Sequence, residues 1–557
     1  MNTIFVIEQQ ITSMILSAFN KAKEEGSLPD ANPAESTVEV PTDSKFGDFS
    51  SNFCMKNASI LSMPPRKIAE MLVKHFNFTD TFISDVQIAS AGFLNFYANN
   101  GYLTSIVENI LTKNEDYGKN ETGNQKIMVE FISANPTGPM HMGNARGGAL
   151  GDCLAEVLAW SGNDVTREFY VNDAGNQIEK FYLSLTARYN QIYLGEDNVP
   201  FPEDGYQGDD IAVIAREFAD KYGDKYINNM DRELIVSFGL ERNIKKIKSD
   251  LEMYRINFDV WFNESTLYEN NKINEAIDVL KTNGYTYEKE GAIWYKATLF
   301  GAEKDDVLVR ANGFPTYFAA DIAYHINKFN YRKFDKVIDI WGADHHGHVA
   351  RLKGALSAAG INDSKLEVII MQMVRLVSEG KPVKMSKRTG KSITLYDLLT
   401  ETSVDAARYF FNMRPYDSHF DFDLDLAVQK SNQNPVFYVQ YAHARICSIL
   451  KILSEENNAK SNTDQKLIFT EQDEIALLKK LAFFPKEIAD AANFYDPSKI
   501  TKYVTDVASL FHKFYTTCRV KDAEEQVKHS RTELLICAKT VITNALRLLK
   551  ISAPDSM

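Results

Sequence analysis

The chain has 557 residues, of which 44% are hydrophobic and 25% charged, with 28 Gly and 16 Pro. At about 100 to 200 residues per domain this length needs several cores, and the composition excludes a disordered, fibrous or disulfide-stapled protein. With 62 basic against 75 acidic residues the net charge is −13, which excludes a protein that coats nucleic acid by bulk charge and leaves room for a local basic site.

Five cysteines, Cys54, Cys153, Cys447, Cys518 and Cys537, stand far apart with no CxxC pair. No disulfide framework or thiolate zinc site is legible, and a reducing cytosol, hence a cytoplasmic protein, is the expectation. No basic residue precedes Lys21, and Glu8 interrupts the N-terminal apolar stretch, which is unlike a secretory signal. No apolar run reaches membrane-spanning length, so no membrane partner is expected.

In chain order, Ile4, Ile7, Ile11, Met14, Ile15 and Phe19 recur with a helical period. They open a segment, 1–115, with 13 acidic and 8 basic residues. With a helix at KIAEMLVKHF and a strand at VQIASAGFLNFYA, it reads as a small α/β module. The polar stretch KNEDYGKNETGNQ (113–125) is expected to be a linker. Then KIMVEFI, SANPTGPMHMGNARGG, ALGDCLAEVLAW and VTREFYV alternate as strand, loop, helix and strand, a βαβ unit. DDVLVRAN, FAADIAYHINKF, KVIDIWG, HVARLKGALSAAG and KLEVIIMQMVRLV continue the alternation. The fold class expected is α/β, with one parallel, Rossmann-like sheet over 122–375 split by an insertion at about 195–290. That insertion opens with GEDNVPFPEDGYQGDD, six acids and no base, read as a solvated loop because the acids lack cation-loop spacing. A connecting region, 376–430, leads to a helical bundle over 431–557, in which Lys502 to Lys550 hold nine basic and five acidic residues.

Pro136-Thr137-Gly138-Pro139-Met140-His141-Met142-Gly143-Asn144 lies where a strand turns into a helix, the usual ligand position in a doubly wound sheet. The helix N-terminus offers free N–H groups to an anion, Gly143 lets backbone approach a nucleotide, and His141 can donate to phosphate. Lys384-Met385-Ser386-Lys387-Arg388 sits in a segment, 381–391, with five bases and no acid, suited to neutralising charge on a polyphosphate. In WGADHHGH, Asp344, His345, His346 and His348 cluster, but nothing elsewhere completes a metal-ligand set, and no protein metal site is expected. Asp321 interrupts the apolar FAADIAYHI four residues after Tyr317; if buried there it needs a cation. Tyr438, Tyr441 and Arg445 share one helix face, a geometry that serves either core packing or the stacking of unpaired bases.

HMGN resembles the HIGH signature and KMSKR the KMSKS signature of class I aminoacyl-tRNA synthetases, and ANPTGPMHMGNARG is similar to the form found in arginyl-tRNA synthetases. The resemblance runs over nearly the whole chain, to the end LRLLKISAPDSM. It implies ATP-dependent joining of L-arginine to tRNA(Arg) through arginyl-adenylate, with ATP as substrate, Mg²⁺ as cofactor and tRNA needed for activation. It implies that His141, Asn144, Lys384 and Lys387 are catalytic, and that Gly138, His141, Gly143, Asn144, Asp344, His345, Lys384 and Lys387 contact ATP. Glu130, Asn135, Tyr317 and Asp321 would hold arginine; Tyr438, Tyr441, Arg445 and Met557 would contact tRNA, as would the N-terminal module; a monomer is expected. The last His of the signature is Asn144 here, so no cation is available at that position. A related nucleotidyltransferase without RNA and a non-catalytic tRNA-binding paralogue are the competing readings; the helical end argues against the first and the intact His141, Lys384 and Lys387 against the second.

Overall fold

The computed structural model describes residues 3–41, 43–89, 91–120, 123–383, 393–456 and 466–557. Near the N-terminus the helix Thr3–Glu24 buries Ile4, Ile7, Ile11, Met14, Ile15 and Phe19. A four-stranded antiparallel sheet accompanies it. The single strand expected at VQIASAGFLNFYA is a hairpin, Ile83–Ile88 paired with Leu94–Ala98. Gly92 makes the turn at φ +93°, where an added Cβ would also lie 2.7 Å from Pro65 Cβ.

The stretch expected as a linker is packed. Tyr117, 1% exposed, donates its hydroxyl to the Leu481 carbonyl at 3.1 Å. Asn544 Nδ2 donates to the carbonyls of Asn114 and Tyr117 at 2.9 and 3.0 Å. Its polar composition reflects hydrogen bonding to the bundle, which sequence cannot separate from exposure to water.

The central sheet has the order Leu366–Met371, Lys336–Gly342, Lys126–Glu130, Asp164–Val171, Val260–Asn263, parallel throughout. Three details differ from the sequence reading. Asp306–Val309 belongs to a separate antiparallel sheet with Ala292–Tyr295 and Thr286–Lys289. KLEVIIMQMVRLV breaks at Gln372–Met373, and Val374–Ser378 pairs with Lys381–Val383 and Phe420–Asp423. The supposed insertion itself supplies the sheet strand Val260–Asn263, four half-buried residues too few to show a period.

The helix Met142–Trp160 lies between this sheet and the C-terminal bundle, buried from Ala145 onward over most of its length. At Gly151 a Cβ would fall 2.3 Å from Phe131 Cγ, so only glycine permits this approach to the sheet. On the bundle side Asp152, 0% exposed, accepts from Arg408 Nη2 at 2.6 Å and Lys550 Nζ at 2.7 Å. Arg408 also donates to the carbonyls of Leu549 (2.6 Å) and Tyr254 (3.0 Å). Buried charges persist only when paired in this way, so the signature helix and the end of the chain are locked together. No helix among the described residues is long and apolar enough to cross a membrane.

Candidate active site

A cleft of about 1120 Å³ opens at the carboxyl ends of the parallel strands. It is lined by residues from well-separated segments, among them Asn135, Gly138, His141, Asn144, Asp344 and His345. Two of its lining residues have strained backbone: Ile132 and Ser133 hold φ of +69° and +42°, a region that residues other than glycine rarely enter. Strain of this kind collects where a functional geometry is imposed by its surroundings.

His141 is the N-cap of the Met142–Trp160 helix. Its backbone N–H donates to Asn144 Oδ1 at 2.9 Å. Asn144 therefore has a structural task that a histidine would perform less well: its carbonyl oxygen caps the helix, leaving the amide nitrogen for the cleft. The first turn carries no acid, so the positive helix end is uncompensated. A Cβ at Gly143 would meet nothing within 4 Å; the protein itself leaves that space open.

Lys384 and Lys387 lie outside the described residues. Both neighbouring segments are fixed: Lys381–Val383 pairs with Val374–Ser378, and Thr394 bridges to His141 while Leu395 N–H donates to the Met140 carbonyl at 2.9 Å. Thr394 also lines the cleft. Next to it a second slot of about 440 Å³ is walled by Gly143, Gly147, Ile340 and Met371 to Val374.

Beyond Asn135, whose Nδ2 donates to Gln177 Oε1 at 2.9 Å, the cleft continues into a recess that includes Tyr317. The Tyr317 hydroxyl accepts from Asn176 N–H at 2.9 Å, which orients the ring. Asp321 is not the buried acid its apolar helix suggested: its side chain is 38% exposed and pairs with His348 Nε2 at 2.9 Å. His348 is thereby drawn away from His345, whose Nε2 lies 3.6 Å from Asp344, so the histidine-rich segment does not converge on one point.

Glu264 and Asp173 have no counterpart in the sequence reading. Glu264, 2% exposed, accepts from the Tyr268 hydroxyl at 3.5 Å, and the Asn172 amide reaches it when turned to present its nitrogen. Asp173 is held by Ser265 N–H (2.9 Å) and Asn263 Nδ2 (2.7 Å). Burial first, then the charges of Asp321 and Asp173, push the Glu264 carboxyl up to about 7. The charges of Asp321 and Asp173 thus reach Glu264, while none of the three carboxylates is among the residues lining the cleft or the recess at Tyr317. The polar residues immediately after strand ends, NDAGNQ after Val171 and Glu264 after Asn263, were the available signal.

Glu130 lies beneath this recess and does not line it. Ser133 Oγ donates to its Oε1 at 2.9 Å and Lys328 Nζ to its Oε2 at 2.7 Å. Lys328, 0% exposed, also reaches Asp339 Oδ1 at 2.9 Å, and Asp339 Oδ2 meets His325 at 2.8 Å. Burial alone would raise the Asp339 carboxyl, but Lys328 and His325 outweigh it and hold it below the usual range. The acidic loop read as solvated likewise contributes: Asp209 and Asp210 line the cleft, and burial raises the Asp210 carboxyl.

In the bundle, Tyr438 and Tyr441 flank His512, with ring centroids 4.9 and 5.9 Å away. Arg445 donates to the Tyr441 hydroxyl at 3.1 Å and lies 4.8 Å over Tyr515. Met557 is 55% exposed at the end of a tail whose Pro554 carbonyl bonds His443 at 2.9 Å. His443, Cys447 and Asp555 are near enough for a metal ion, but Thr543 takes the other His443 nitrogen at 3.0 Å and Lys539 stands 3.9 Å from Asp555, the arrangement of a clasp.

Residues 106–418 match the family model for tRNA synthetases class I (R), catalytic domain; residues 7–98 match the arginyl tRNA synthetase N terminal domain and residues 439–557 the DALR anticodon binding domain. The parallel sheet and its cleft are thus those of a class I aminoacyl-tRNA synthetase. Arginine--tRNA ligases of Caldanaerobacter subterraneus subsp. tengcongensis and Ruminiclostridium cellulolyticum are 52% and 51% identical over 100% and 99% of both chains. The Thermus thermophilus arginyl-tRNA synthetase shares the fold at a TM-score of 0.74, with 21% identity, over 99% of this chain and 100% of its own. The chain belongs to the arginyl-tRNA synthetase family.

Two outcomes are expected from this geometry. If arginine's guanidinium is held by Asp321, whose charge reaches Glu264, its positive charge favours ionised Glu264, so arginine affinity should rise as pH increases through about 7. Calorimetric titrations on either side of that pH, with Glu264→Gln flattening the profile, check this. Arg445→Ala should weaken tRNA binding and flatten its log affinity against log salt by about 0.7, one phosphate contact to a single strand. Filter binding over a salt series measures it; an unchanged slope would assign Arg445 to packing alone.

Proposed function

We propose that this chain joins L-arginine to tRNA(Arg) in two steps, consuming ATP. One observation carries the reading: the cleft at a helix N-terminus suited to phosphate shares Asn172, Gln177 and Tyr206 with the recess at Tyr317, one helical turn before the carboxylate of Asp321. Adenine occupies the slot between Gly143–Gly147 and Met371–Val374. The phosphates lie over His141, the Asn144 amide and the helix end, with Lys384 and Lys387 supplying cations and Asp344 and His345 at the rim.

Arginine enters along Asn135, Gln177 and Tyr317, which line the cleft and its recess, with its α-amino group toward Asn135 and its guanidinium toward the half-exposed Asp321 one helical turn beyond Tyr317. Glu130 stiffens the floor through Ser133. The arginine carboxylate oxygen bonds to the α-phosphorus and the bond to pyrophosphate breaks. The 2′-hydroxyl of the terminal tRNA ribose then attacks the carbonyl carbon, and AMP leaves with the electron pair of the mixed anhydride while the hydroxyl proton passes to a phosphate oxygen of the departing AMP. No protein nucleophile is needed; positioning and charge stabilisation suffice.

Mg²⁺ fits the site as a companion of ATP: Asp210 and Asp344, which line the cleft, would hold it together with the nucleotide. When bound it offsets phosphate charge. The bundle face of Tyr438, Tyr441, Arg445 and His512 stacks anticodon bases, with Met557 and the N-terminal module as further tRNA contacts. Amino-acid-dependent ATP–pyrophosphate exchange, run over all twenty amino acids with and without tRNA, tests the proposal. Exchange with arginine when tRNA is present is expected; exchange driven by another amino acid would overturn it.

A further inference from the structure

Arg146 stands one turn into the helix Met142–Trp160, between Gly143 and Gly147, and is 1% exposed. A buried guanidinium is ordinarily met by a carboxylate. Here the fork goes to backbone instead: Nη1 donates to the carbonyls of Gln372 at 2.7 Å and Ser418 at 3.0 Å, and Nη2 to that of Pro415 at 2.9 Å. Arg146 has no ion pair among the described residues; the charge that reaches it is that of Asp417, inside the same loop.

One of those carbonyls sits at a break between sheets. Leu366–Met371 ends on the central sheet and Val374–Ser378 starts on another, so Gln372 and Met373 lie in neither strand. Gln372 is gripped from both sides in their place: its N–H donates to the Tyr416 carbonyl at 2.9 Å, and its own carbonyl accepts from Arg146. Met371 to Val374 form one wall of the slot of about 440 Å³ beside the cleft, and Gly143 and Gly147 form the facing one. A Cβ at Gly147 would lie 3.6 Å from Met371 Cε, so the two walls nearly touch there. A single helical turn therefore clears the slot with its glycines and ties down the opposite wall with its arginine.

We infer that Arg146 is a positioning residue for nucleotide binding: its guanidinium fixes the wall Met371 to Val374 before ATP arrives, so that the slot for the base is preformed. The inference rests on the adenine assignment above. Its three bonds all go to backbone of the wall and of the loop behind it, so Arg146 acts through Gln372 rather than on the base. Without it the break between the sheets would have to be ordered by the nucleotide itself, and each backbone residue fixed on binding opposes association by about 10-fold.

The test compares dissociation constants for a non-hydrolysable ATP analogue, pyrophosphate and arginine. Arg146→Gln should weaken the analogue by about 10- to 100-fold, the effect of one or two backbone residues left to be ordered, and leave pyrophosphate and arginine unchanged. In exchange kinetics the KM for ATP should rise with kcat nearly kept, and Arg146→Lys, which retains a donor, should recover part of the loss. An unchanged analogue constant, or weakening that extends to pyrophosphate or to arginine, would overturn the inference. Amide hydrogen exchange of the unaltered protein needs no variant: the Gln372 N–H should be protected before nucleotide is added, and protection that appears only with the analogue would count equally against a preformed wall. Failure of the adenine assignment would appear separately, as an unaltered protein that binds the analogue no more tightly than inorganic tripolyphosphate.

Discussion

Replacing Lys387 by alanine is expected to slow arginyl-adenylate formation by about 10² to 10³-fold while leaving arginine affinity nearly unchanged, the typical loss when one preorganised donor to a developing charge is removed. The expectation comes from where the basic segment is tied. Before it, Lys381–Val383 is anchored on Val374–Ser378; after it, Thr394 bridges to His141 at the lip of the cleft. Lys387 itself lies outside the described residues, and its assigned role is to meet phosphate charge as the bond to the α-phosphorus breaks. Single-turnover exchange kinetics separate the rate from binding. Normal turnover combined with lost arginine affinity would show that the segment does not clamp the transition state.

Asp321→Asn is expected to weaken arginine binding by roughly 1.5 to 3 kcal/mol, the range for a hydrogen bond to a charged group. A fully buried partner would cost more, but the Asp321 side chain is 38% exposed and water screens part of its charge in the free protein. ATP affinity should hold. Citrulline, isosteric with arginine but neutral, should bind the parent poorly and lose little more in the variant. Titration of arginine, citrulline and a non-hydrolysable ATP analogue, each with tRNA present, distinguishes the cases. Equal weakening of arginine and citrulline would mean that Asp321 serves His348 and the helix rather than the guanidinium.

Much of the architecture was legible because the pattern is local. The apolar stripe of Thr3–Glu24, the strand–loop–helix around His141 and the helical end all follow from periodicity and turn residues within short windows. Strand membership was less accessible. Asp306–Val309 and Val374–Ser378 have the composition of sheet strands and belong to other sheets, since pairing depends on partners far along the chain. Val260–Asn263 is too short to announce itself at all.

By itself the sequence determined the chemistry that a contiguous segment can carry: a glycine-flanked helix start with His141, a basic run with Lys384 and Lys387, and an acid one helical turn beyond Tyr317. Only the tertiary structure decided what those groups face. It brought Thr394 onto His141, turned His348 to Asp321, set Glu264 within reach of the charges of Asp321 and Asp173, and paired Glu130 with Lys328. Each of these depends on strand order and on which side of a strand end is buried. A carboxylate exposed to water and one sealed against other carboxylates are the same letter in a sequence; burial and neighbouring charge make them different acids.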